Sequence, residues 1–187
     1  MSTNTTTASA GKSRFSTKRL VICALFAALI CISAYISVPL PLPSAPKITL
    51  LNFVVILITL LLPLPDSFLT VMVWMILGLI GIPVFIGGGS GIGYLLAPYG
   101  GYTLVYPIIA ILVPLLRGKT YNRLRYTAVS LFAALLVDFL GMLWLMHVSS
   151  YDIRTGFLTG FLPFLPLDII KAVIAAQIVP AFKRIMR

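Results

Sequence analysis

Glutamate is absent from the 187 residues, and aspartate occurs only as Asp66, Asp138, Asp152 and Asp168. Charged residues make up 10% of the chain, against about a quarter in a soluble domain. So few charges cannot cover a globule of this size, which excludes a soluble enzyme, a disordered chain and a free nucleic-acid binder. Histidine occurs once, as His147 at an expected helix end, and cysteine twice, as Cys23 and Cys31. These are too few for a metal-ligand cluster or a Ser–His–Asp arrangement. The cysteines are eight residues apart in one apolar run, roughly 12 Å along a helix and too far for a disulfide. No nucleotide motif is present, which argues against ATP hydrolysis by the chain itself.

What the chain has in abundance is apolar sequence: 60% of its residues are hydrophobic. Six apolar segments approach bilayer length, at 19–38, 48–62, 66–80, 102–116, 127–146 and 162–184, and are expected as transmembrane helices. Residues 1–18 read as a polar, basic tail and 19–187 as one membrane domain. The first apolar run exceeds a typical signal-peptide core, so it is expected to stay as an anchor. Pro63-Leu64-Pro65 makes a tight hairpin of segments two and three, with Asp66 placed to cap the third helix. From Gly81 to Gly101 the chain stays apolar but is rich in Gly, Pro and Tyr, without helical periodicity. Such backbone lies at membrane depth only where protein covers it or where it lines a cavity. The expected fold is an all-α integral membrane protein of six transmembrane helices with a Gly-rich capping loop between helices three and four.

Basic residues set the orientation. Six spans put both termini on one side, together with Lys12, Arg14, Lys18, Arg19, Arg117, Lys119, Arg123, Arg125, Lys183, Arg184 and Arg187. The opposite loops hold Lys47 and Arg154. The expected topology is N-in, C-in, and it accounts for most of the +10 net charge.

Three ionisable residues fall inside expected spans: Asp138, Asp168 and Lys171. A charge there costs at least a few kcal/mol, so such residues face a cavity or a partner. Pro163 and Pro166 place a helix start just before Asp168, and Lys171 follows on the same face. Lys171 and Asp138 each lie twelve residues from the inner edge, roughly 18 Å deep. One shared cavity is expected, which Asn52 could join. The competing reading is a structural Asp168–Lys171 ion pair with Asp138 bonded to a neighbouring helix.

The glycine stretch is a second candidate. Gly87, Gly88, Gly89 and Ser90 could present backbone N–H groups to a ligand. Phe85, Tyr94, Tyr99 and Tyr102 would supply its walls. The competing reading is a re-entrant turn packed for its own sake. In the first helix Ala24-x-x-x-Ala28 permits close helix approach.

Four motifs bear a family resemblance: Gly81-Ile-Pro-Val-Phe-Ile-Gly-Gly, Pro98-Tyr-Gly-Gly-Tyr102, Val137-Asp-Phe-Leu-Gly141 and Phe164-Leu-Pro-Leu-Asp168-x-x-Lys171. With the short hairpin and the alanine pair, the chain resembles the BioY family, the biotin-specific substrate-binding (S) components of energy-coupling factor (ECF) transporters. It departs from the family pattern at Leu51, where Gln is common, at Gly88-Gly89-Ser90, where Asn is common, and at Ala97, Thr103 and Leu167. The resemblance implies six helices and a biotin site capped by outer loops. It implies docking through Ala24 and Ala28 on a transmembrane T component that works with two ATPase subunits. It also implies that Asp168 and Lys171 line the vitamin site in a multi-pass protein of the cell membrane. No cofactor is implied beyond the transported ligand. In the expected pose Lys171 donates to the ureido carbonyl and Asp168 accepts an N–H. The glycine N–H groups, a tyrosine hydroxyl or Lys47 would hold the carboxylate. The reverse pose, another ring-plus-carboxylate ligand such as lipoate, and a stand-alone secondary transporter are the alternatives. A membrane-embedded transferase would need more ionisable groups than these three.

Overall fold

In a computed structural model the described residues are 17–39 and 47–185. Lys12, Arg14, Arg187 and most of the expected tail lie outside them. Helices α1 (Thr17–Ser33), α2 (Leu51–Leu61), α3 (Leu64–Leu79), α6 (Tyr106–Leu116), α7 (Arg123–Ser149) and α9 (Leu165–Ile185) account for the six apolar segments. Short helices α4 (Gly91–Leu96), α5 (Gly100–Leu104) and α8 (Ile153–Gly160) sit between them. α5 runs on into α6 through helical Val105. By length and composition α7 and α9 could each cross a membrane alone, while α1, α2 and α3 are shorter.

Two expectations change. The first segment does not stay helical to Val38: α1 ends at Ser33, and β1 (Ser37–Pro39) pairs antiparallel with β2 (Lys47–Thr49). Pro39 cannot donate to a ladder, and it pairs with Lys47 at the end of this small hairpin. Nor does Asp66 cap α3. The N-cap is Pro63, and Asp66 lies in the first turn, where the helix dipole favours an anion. Its carboxylate takes both arms of Arg19, Nη2 to Oδ1 at 2.5 Å and Nε to Oδ2 at 3.1 Å, tying α1 to α3.

The core runs through α2, which is buried at every position from Leu51 to Leu61 except Phe53. α7 and α9 pack together, and both bury small residues, Ala133 and Ala134 on α7 and Ala172, Ala175 and Ala176 on α9, all at most 1% exposed. Small side chains let helix backbones approach closely where there is no water to expel, and Ser130 Oγ donates across that seam to the Ala172 carbonyl at 2.9 Å. Outward positions carry Leu25, Ile32, Ile76, Leu115, Phe139 and Ile170, each at least 48% exposed. A soluble monomer rarely leaves so much apolar surface uncovered.

Candidate functional site

The glycine stretch is held by aromatic rings. Trp74 Nε1 donates to the Val84 carbonyl at 2.9 Å and Trp144 Nε1 to that of Ala97 at 3.1 Å, so α3 and α7 each grip one end. Phe85 packs edge-on to Trp74 at 5.4 Å and stacks on Tyr94 at 4.9 Å. Gly78 and Gly89 leave the space that the Phe85 and Tyr94 rings fill, and Gly141 does so for Tyr102. A Cβ at any of these positions would overlap its ring. Gly87, at φ +68°, adopts the left-handed conformation open to glycine. Its N–H donates to the Ala34 carbonyl at 3.0 Å, and that of Gly88 to Phe85 at 3.0 Å. The Gly88 N–H therefore serves the loop itself, and that of Gly87 ties the loop to the end of α1.

Beneath the loop lies a cavity of about 240 Å³. One end is polar and buried. Asp168 (6% exposed) enters from the first turn of α9, Asp138 (2%) from mid-α7, and Asn52 (5%) from the first turn of α2. Asn52 Nδ2 donates to Asp168 Oδ2 at 2.9 Å, and Lys171 Nζ to Asp168 Oδ1 at 2.9 Å. Lys171 Nζ also donates to the Thr49 carbonyl at 2.8 Å, linking α9 to β2. Both Asp168 oxygens are thus engaged. Asn52 Oδ1 and Asp138 Oδ2, both buried, have no hydrogen-bond partner among the described residues. A buried acceptor without a donor costs about 1–3 kcal/mol.

The walls are aromatic. Tyr94, Tyr99, Tyr102, Tyr106 and Phe164 line the cavity. Tyr102 stacks with Tyr99 at 6.1 Å and tilts against Phe164 at 5.4 Å. The Tyr102 hydroxyl donates to the Gly160 carbonyl, which turns the ring into a fixed apolar wall. Lys47 lines the cavity from β2, and its ammonium lies over Gly87.

Of the residues singled out from sequence, Asp168, Asp138, Asn52, Tyr94, Tyr99 and Tyr102 meet in this cavity. Lys171 does not line it, and reaches it only through Asp168 and Thr49. Gly87, Gly88, Gly89 and Ser90 do not line it either; Ile86 does, just before them. Tyr106 escaped the sequence reading. Its signal was the spacing, four residues after Tyr102 and so on the same helical face. Thr49 could not be foreseen, because its cavity position depends on the β-hairpin.

The sequence profile described as the BioY family matches residues 4–187. The chain belongs to the BioY family. A Pyrococcus horikoshii protein described as a probable biotin transporter BioY is 39% identical over 162 residues, covering 86% of this chain and 93% of its own. A biotin transporter BioY of Thermotoga maritima is 32% identical over 169 residues, covering 90% and 97%. A crystal structure of the S component for biotin from an ECF-type ABC transporter superposes with a TM-score of 0.82 at 29% identity, covering 89% of this chain and 91% of that one. BioY proteins of this kind are binding subunits of transporters, not enzymes.

Proposed function

We propose that this BioY-family chain is the biotin-capturing S component of an ECF transporter. The observation that carries the reading is the pair of buried acceptors without donors, Asn52 Oδ1 and Asp138 Oδ2. Biotin's ureido ring offers two N–H donors, and lipoate offers none, so the polar end of the cavity favours the former. Asp168, already bonded to Asn52 and Lys171, fixes the geometry of that end. The thioether ring and alkyl chain lie against Tyr99, Tyr102, Tyr106 and Phe164. Lys47, at the glycine loop, meets the carboxylate. Lys171 acts on the ligand by holding Asp168, which revises the direct contact with the ureido carbonyl expected from sequence.

The protein is embedded in the cell membrane by six spans, N-in and C-in, with residues 1–18 as a cytoplasmic tail and 19–187 as the membrane domain. The apolar belt and the clustering of basic residues at one end of α6, α7 and α9 support this arrangement. Ala24 and Ala28 face outward from α1, which suits docking on the T component. ATP hydrolysis in two partner ATPases drives delivery inward.

Purified protein, denatured by heat, releases its ligand for mass spectrometry. Biotin is the expected mass. Release of lipoate, or failure to retain added biotin without ATP or an ion gradient, would overturn the reading.

A further inference from the structure

Opposite the vitamin cavity, at the end where α2 turns into α3, cations gather without an acid beside them among the described residues. Arg117 ends α6 and is 8% exposed. Among the described residues its guanidinium bonds neutral acceptors, Nη2 to the Leu62 carbonyl at 2.7 Å and Nη1 to the Tyr126 hydroxyl at 2.9 Å. Its buried Nε has no partner among the described residues. Lys183 Nζ, from the last turn of α9, donates to the same Tyr126 hydroxyl at 3.0 Å. Arg125 Nε donates to the Leu116 carbonyl at 2.8 Å, so a third cation closes the group. Asp66, the only acid near this hairpin turn in sequence, is paired with Arg19.

Three cations around one phenol and two carbonyls leave more donors than acceptors, since a guanidinium alone carries five N–H. A buried charge without a counter-charge is unfavourable by several kcal/mol. We propose that Arg117, Arg125, Lys183 and Tyr126 form a site for the phosphate headgroup of an anionic phospholipid. A phosphate brings several acceptor oxygens and negative charge to converging donors. The surroundings favour a lipid over an acidic partner protein: Leu116 (42%), Leu124 (81%) and Ile185 (82%) are exposed beside the cations. Apolar surface next to basic headgroup contacts is what a lipid with its acyl chains would cover. The site's assignment to the inner leaflet rests on the N-in, C-in orientation proposed above; its existence does not.

The test uses full-length protein in neutral detergent, titrated with short-chain phosphatidylglycerol, phosphatidylcholine or glycerol 3-phosphate, with the melting midpoint followed by tryptophan fluorescence. Phosphatidylglycerol is expected to raise the midpoint by several degrees, and the other two to leave it unchanged. Lys183→Gln is expected to raise the half-saturating lipid concentration about tenfold, the size of one charge-assisted hydrogen bond. Biotin affinity stays at its wild-type value, and Arg154→Gln, outside the cluster, keeps the lipid effect. Arg117→Gln gives the larger loss, and should it fail to fold, Arg125→Gln takes its place beside Lys183→Gln. Equal effects of the two lipids, a full effect of glycerol 3-phosphate alone, or an unchanged response in Lys183→Gln would each overturn the proposal. So would an inert lipid combined with loss of partner assembly in Lys183→Gln, which would assign the cluster to an acidic protein surface. Failure of biotin binding with the lipid preference intact would sink the vitamin reading and leave this one standing.

Discussion

Asp168 and Lys171 are joined at 2.9 Å on one face of α9, yet only Asp168 lines the cavity. The lysine side chain is 18% exposed and the aspartate 8%, so the carboxylate is the more desolvated partner and depends on the ammonium for compensation. Asp168→Asn should weaken biotin binding about tenfold or more. Lys171→Ala should weaken it as well, and the two changes together should cost little more than the worse of them, because the lysine acts through the aspartate. Isothermal titration of the single and double variants decides this. Additive losses would mean that Lys171 touches the ligand independently.

Asp138 should show opposite effects on affinity and stability. Asp138→Leu removes a buried acceptor that lacks a donor, which relieves a cost of about 1–3 kcal/mol in the empty protein. The melting temperature without ligand should rise, while biotin affinity falls about tenfold or more. A parallel fall in both would show that Asp138 is a structural group.

Lys47 should matter only for the carboxylate. It is exposed, so its charge is screened, and Lys47→Ala should cost less than about tenfold in biotin affinity, with the difference shrinking in high salt. Biotin amide should bind wild type and Lys47→Ala equally. A preference of wild type for the amide over the acid would place the carboxylate elsewhere.

Gly78 and Phe85 give a test of the loop's anchoring. Gly78→Val would push the Phe85 ring off Trp74, an overpacking change of about 1–3 kcal/mol. The melting temperature and the biotin off-rate should worsen together. A lower melting temperature with an unchanged off-rate would mean that the loop does not cover the site.

Docking through α1 separates capture from transport. Ala24→Trp with Ala28→Trp should abolish uptake in cells that express the complete transporter, while purified protein keeps its biotin affinity. Uptake at the wild-type rate would show that this face is not the docking surface.

Much of this was legible from composition and spacing. A chain with four acids, no glutamate and 60% hydrophobic residues belongs in a bilayer, because desolvating charge is costly whatever the fold. For the same reason Asp138 and Asp168 stood out as residues needing an account, and the i, i+3 spacing put Lys171 beside Asp168. Tertiary structure decided which groups line the cavity and which bond only to other parts of the protein. Of the glycines expected to present backbone to a ligand, Gly89 makes room for Tyr94, and the Gly87 and Gly88 N–H groups are already bonded to the Ala34 and Phe85 carbonyls. Asn52 met Asp168 across 116 residues of chain, and β2 brought Thr49 to Lys171. Helical periodicity and charge act over one turn and could be read along the chain. Hydrogen-bond satisfaction and ring packing depend on segments far apart in sequence, so only the folded protein could assign them.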